Sequence, residues 1–77
     1  MSDTGVVLVD AIGLECPLPL LKAKRALNAV GPGGRVRVLA TDAGSVRDFR
    51  VFAQQSGHRL LSSDEENGVY RYLLEKS

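Results

Sequence analysis

Two residue periods alternate along this chain, and the alternation restricts it to a small set of folds. Val6 to Asp10 is a short β-branched run, the composition of a strand. Leu20 to Val30 has helical spacing, with Leu20, Ala23, Leu27 and Val30 on one face and Lys22, Arg25 and Ala29 on another, so the predicted helix is amphipathic with a basic outer side. Gly31-Pro32-Gly33-Gly34 cannot continue it, because it offers flexible residues and a proline without a backbone donor. Arg35 to Ala40 then alternates, Val36, Val38 and Ala40 against Arg35 and Arg37, the period of a strand with one wet face. Ser45 and Asp48 stand like a capping box with Asp in place of the usual Glu, and Val46, Phe49 and Ala53 recur at helical spacing, which predicts a second helix over Ser45 to Ser56. Gly57 terminates it. His58 to Ser63 reads as a third strand, and Glu66-Asn67-Gly68 is a turn before a fourth, Val69 to Lys76.

The order β-α-β-α-β-β, with right-handed crossovers in its first two units, folds most simply as a two-layer α/β sandwich. A mixed four-stranded sheet carries both helices on one face. The other face presents Arg35, Arg37 and Arg59 or Arg71, either as a solvated surface or as a binding one. No repeat, linker or low-complexity tract interrupts the 77 residues, so a single domain over 1–77, structured over about 6–76, is expected. The chain is 44% apolar, enough to fold, but chains this short bury only about 60% of their unfolded surface. Many add a disulfide or a metal. Cys16 is the sole cysteine and His58 the sole histidine, so neither an internal disulfide nor a four-ligand zinc site is expected, nor any other cofactor. No apolar run approaches the roughly 18 residues of a membrane span, and Met1 to Gly5 lack the basic and apolar regions of a secretory signal. A cytoplasmic, reducing setting is the expectation. Ten Lys plus Arg against nine Asp plus Glu argue against nucleic acid as an obligatory partner.

The residues around the lone cysteine carry the chemistry. Pro17 biases Cys16, and Pro19 biases Leu18, away from helical angles, which holds the thiol in an extended stub ahead of the first helix. Pro19 suits the first helical position, where its missing donor would have been unpaired. The helix start and its dipole are expected to favour the thiolate, with Lys22 adding to this if it folds back. A thiolate is the nucleophile of sulfur chemistry; the competing reading is a small buried hydrophobe. Asp10 either stabilises the turn leading to Gly13 or places a carboxylate near the sulfur, where it would oppose the thiolate. Asp42 and Asp48 read as helix-start residues, with partner recognition the alternative. His58 reads as structural.

The run Gly13-Leu14-Glu15-Cys16-Pro17-Leu18-Pro19, preceded by Asp10, resembles the Cys-Pro-x-Pro signature of the TusA/SirA-type sulfur-carrier proteins. The resemblance continues through Thr41-Asp42, Ser45 to Phe49 and Gly57-His58 to the final hairpin, over about residues 6 to 76. It implies the β-α-β-α-β-β sandwich and a sulfurtransferase in which Cys16 carries sulfane sulfur as a persulfide. Gly13, Asp10, Pro17, Pro19 and Lys22 support the thiol in that reading, and Glu15, Leu18, Lys22, Arg25, Asp42 and Asp48 contact partners. The implied donor is a cysteine desulfurase or a rhodanese, the implied acceptor a TusD/DsrE-like protein, and the destination tRNA thiolation, molybdenum-cofactor assembly or sulfur oxidation. A carrier of this kind is expected to be a monomer with transient contacts. Ala43 stands where many members have proline, and Ala53 where some have a second cysteine, so no internal resolving thiol is available. The alternative function is a non-catalytic RNA- or protein-binding module using the basic sheet face or Lys22 and Arg25; a fold like that of the C-terminal domain of translation initiation factor three is weak warrant for it.

Overall fold

A computed structural model describes residues 6–77; residues 1–5, on which the reading about a secretory signal falls, lie outside the described residues. The chain runs β1 (Val6–Ala11), α1 (Leu18–Ala29), β2 (Arg35–Ala40), α2 (Ser45–Ser56), β3 (Arg59–Glu66) and β4 (Val69–Glu75). The strands lie in the order β1-β2-β4-β3. β1 and β2 are parallel and the other pairs antiparallel, giving the mixed four-stranded α/β architecture expected. α1 packs on β1 and β2, α2 on β3 and β4, and the helices touch each other. Both therefore cover one face of the sheet.

Alternation along the strands decides what that face buries. Val9 and Ala11 of β1, Val36, Val38 and Ala40 of β2, and Tyr72 and Leu74 of β4 point into the core. α1 meets them with Pro19, Ala23 and Leu27, and Leu20 and Val30 pack at the margin. α2 departs from its expected stripe: it buries Ser45 and Phe49, with Phe52 against the core, while Val46 faces solvent. The reason lies under the helix. Phe49 stacks on Tyr72 with ring centroids 4.5 Å apart, and the Tyr72 hydroxyl shares a buried 2.6 Å hydrogen bond with Ser45 Oγ. Ser45 thus turns inward instead of capping the helix. Gly44 occupies the cap position, and no side chain caps there.

Element boundaries differ where polar residues continue a ladder. β3 begins at Arg59 and runs to Glu66 beyond the expected Ser63, because Asp64, Glu65 and Glu66 still pair with Arg71, Tyr70 and Val69 around a bulge at Leu60/Ser62. β1 takes in Ala11, β4 ends at Glu75, and α1 begins at Leu18, which makes Pro19 the second helical residue. Asn67 and Gly68 both have positive φ, 54° and 81°, as a tight hairpin turn requires.

On the open face, Arg35 and Arg59 bond Glu75 at 3.3 and 3.8 Å, and Arg71 bonds Asp64 at 2.8 Å and Glu66 at 3.4 Å. Carboxylates are interleaved with the cations, so this face is charge-balanced rather than a basic stripe. No helix among the described residues is long and apolar enough to cross a membrane.

Candidate functional site

Because β1 and β2 are parallel and each feeds a helix, the loops before α1 and before α2 emerge at the same edge, beyond the closing pair Ala11 and Ala40. The first loop is built tightly. Asp10 Oδ1 accepts the Ile12 N–H at 3.1 Å, the Ala11 carbonyl accepts the Leu14 N–H at 3.2 Å, and Gly13 takes φ +83°, a conformation in which other residues are strained. The Gly13 N–H reaches Thr41 Oγ1 at 2.9 Å, which fastens the first loop to the second. Asp10 therefore serves the turn, the first of its two expected roles.

Cys16 sits exposed where the loops meet, joined to Pro17 by a cis peptide bond. Its N–H donates to Asp42 Oδ2 at 3.1 Å, and its Sγ donates to Asp48 Oδ2. Gly44 lies against this contact: a Cβ there would be 3.1 Å from Asp42 Oδ2, tight enough to shift the carboxylate slightly, and in ordinary contact at 3.7 Å with Cys16 Cβ. Asp42 and Asp48 are half-buried, one in the loop before α2 and the other in its first turn. Asp48 does lie in the first helical turn, but its carboxylate points across to the sulfur.

This corrects the expectation of a thiolate-favouring environment. The Asp48 carboxylate, as acceptor of the S–H bond, is the largest influence pushing the Cys16 thiol up from its ordinary value; loss of hydration and the charges of Asp48 and Asp42 act in the same direction. The helix start offers little in return. Pro17 and Pro19 have no N–H, and the Leu18 N–H is bonded to the Glu15 carbonyl at 2.8 Å. The two prolines that shape the stub also remove donors that would have stabilised an anion. Lys22 does not supply the missing charge: its ammonium donates to the Asp10 carbonyl at 3.5 Å.

Glu15 is exposed next to Cys16 in the chain, and Leu18, Leu21, Lys22 and Arg25 are exposed on α1. Leu14, Leu18, Leu21, Lys22 and Arg25 line a shallow hollow on the outer side of α1. His58 belongs elsewhere. It follows the far end of α2, about 18 Å along a twelve-residue helix, and its Nδ1 accepts the Ser77 N–H at 3.2 Å. Among the described residues no three His, Cys, Asp or Glu side chains gather as metal ligands would.

Sequence reasoning placed Asp42 and Asp48 at a helix start and missed that both meet Cys16. The signal was topological. Two parallel β-α units in one sheet direct both strand-to-helix loops to the carboxyl edge of the strands, so the start of α2 had to face the start of α1. Chemically, the arrangement is an accessible thiol with a carboxylate in contact and no second thiol in the chain.

Residues 7–76 match the family profile described as sulfurtransferase TusA. The sulfur carrier protein TusA of Allochromatium vinosum is 52% identical over 69 residues, 90% of this chain and 91% of that protein. The sulfur carrier protein TusA of Pseudomonas aeruginosa is 38% identical over 76 residues, 99% and 96% of the two chains. Among solved structures, a SirA-like protein from Desulfitobacterium hafniense superposes with a TM-score of 0.80 at 31% identity, over 90% of this chain and 95% of that one.

Proposed function

The chain belongs to the TusA sulfurtransferase family, which gives it a role in sulfur relay, and from that premise we propose that Cys16 is the carrier atom. In the proposed step, Sγ attacks the terminal sulfur of a donor's persulfide. The Cys16 S–S bond forms as the donor's S–S bond breaks, and the electron pair leaves on the donor's own cysteine. One sulfane sulfur moves without net oxidation or reduction. Discharge is the same exchange run onto an acceptor thiol.

The observation that carries this reading is the exposed, solitary thiol on a loop pinned by Asp42. A resolving cysteine on the same chain would release the sulfur by forming an internal disulfide. With Ala53 in α2 and no other thiol, sulfur loaded on Cys16 leaves only to another molecule. A cysteine desulfurase or a rhodanese is the proposed donor, and a TusD/DsrE-like thiol protein the proposed acceptor. Glu15, Leu18, Lys22 and Arg25, exposed on the motif loop and along α1, are the proposed contacts, and Gly13, Pro17 and Pro19 shape the stub that presents it.

Incubation with a cysteine desulfurase and cysteine is expected to raise the intact mass by one sulfur atom, removable by dithiothreitol. Cys16→Ser is expected to take up none. An adduct that persists in Cys16→Ser would overturn the assignment.

A further inference from the structure

A protonated thiol is a poor nucleophile, yet the hydrogen bond from Cys16 Sγ ends on a carboxylate. Resting on the reading of Cys16 as the carrier, we propose that Asp48 is a catalytic residue: its Oδ2 takes the thiol proton as Sγ attacks the incoming persulfide and returns it to the departing thiolate. Net, a donor persulfide and the Cys16 thiol become the donor thiol and the Cys16 persulfide, with every proton accounted for. On discharge the same carboxylate receives the acceptor's proton and hands it to Sγ as Cys16 leaves.

Every charged group that faces the sulfur bears on this. Asp48 comes from α2 and Asp42 from the loop before it; Asp42 Oδ2 is engaged by the Cys16 N–H. Glu15 is exposed beside Cys16, and the Lys22 ammonium is directed to the Asp10 carbonyl. Asp48 is thus the titratable side chain in hydrogen-bond contact with Sγ among the described residues, within the reach a general base needs. Its backbone is fixed by its neighbour Phe49, which is fully buried. A carboxylate is too weak a base to deprotonate a resting thiol, so the proton moves only as the new bond forms. Once the new S–S bond draws electron density from Sγ, the S–H becomes acidic and the transfer runs downhill. The carboxylic acid so formed is strong enough to protonate a departing thiolate.

The test separates proton transfer from mere electrostatics by setting two electrophiles against each other. Asp48→Asn removes the charge and the proton acceptor, so alkylation of Cys16 by iodoacetamide at neutral pH, which needs only thiolate, is expected to accelerate. Loading from a persulfidated cysteine desulfurase, measured in single turnover, is expected to slow by about a hundredfold, the lower range for loss of a general base. Asp48→Glu keeps the carboxylate and is expected to recover most of the loading rate. Asp42→Asn, which removes a nearby charge but leaves the S–H acceptor in place, is expected to accelerate both reactions. Loading by Asp48→Asn as fast as wild type or faster, or no recovery in Asp48→Glu, overturns the proposal. A wild-type chain that takes no sulfur at Cys16 overturns the carrier reading, and this one with it.

Discussion

The Ser45–Tyr72 hydroxyl pair is the polar contact on which the seating of α2, and therefore of Asp48, depends. Both groups are buried, the hydrogen bond is 2.6 Å, and Ser45 lies one turn ahead of Asp48. Tyr72→Phe keeps the ring and its stack on Phe49 but leaves Ser45 Oγ buried with no partner. Leaving one buried polar group unpaired costs about 1–3 kcal/mol, whereas removing both partners together costs about 0.5–1.5 kcal/mol. Against a total stability of about 4–12 kcal/mol for a chain of this size, each single substitution is large. At about 4–8 °C per kcal/mol, Tyr72→Phe and Ser45→Ala should each lower Tm by about 8–16 °C if the penalty is near 2 kcal/mol. The double variant should be no worse than either single one. Urea titration followed by far-ultraviolet circular dichroism on all four proteins measures the cycle, with a coupling of at least about 1 kcal/mol expected. Additivity within about 0.5 kcal/mol would refute the reasoning, because it would mean that the two hydroxyls do not depend on each other.

Other outcomes follow from the same structure. Burial pushes the Tyr72 phenol above its ordinary value of 10.0, the bond to Ser45 opposing it more weakly; the folded state then holds that proton more tightly than the unfolded one. Its contribution is intact below about pH 10 and lost as pH rises through the raised native value, so alkaline unfolding should be steeper in wild type than in Tyr72→Phe. Gly57 closes α2 at φ +83°, and Gly57→Ala should cost about 1–2 kcal/mol, read as a lower Tm. Arg71→Gln, which removes exposed contacts to Asp64 and Glu66, should change stability by less than about 1 kcal/mol, and the difference should shrink in high salt.

What was legible in the sequence is what depends on local chemistry and period. Gly31-Pro32-Gly33-Gly34 ended α1 as expected, the alternation of Arg35 to Ala40 gave a strand with its valines inward, and Asn67-Gly68 turned the final hairpin. The end of β3 was not legible, because Asp64 to Glu66 are held in the sheet by their partners on β4 and not by an apolar pattern of their own. The inward turn of Ser45 was hidden for a similar reason. A serine before an acidic residue reads as a cap, and only the placement of Tyr72 beneath it makes burial the better use of its hydroxyl. At the site, the motif singled out the exposed thiol, but the carboxylates that face it were not legible. A dipole argument counts donors at the helix start, and here prolines remove two of them while Asp48, thirty-two residues away in the chain, supplies a proton acceptor instead.

The central claim is that Cys16 holds a transferable sulfur. The direct measurement is to load the carrier with radiolabelled sulfane sulfur, separate it from the donor, and mix it with an excess of a second thiol protein. The label should leave Cys16, appear on the acceptor in equal amount, and return the carrier to its free-thiol mass. Label that stays on the carrier, or that Cys16→Ser transfers equally well, would contradict it.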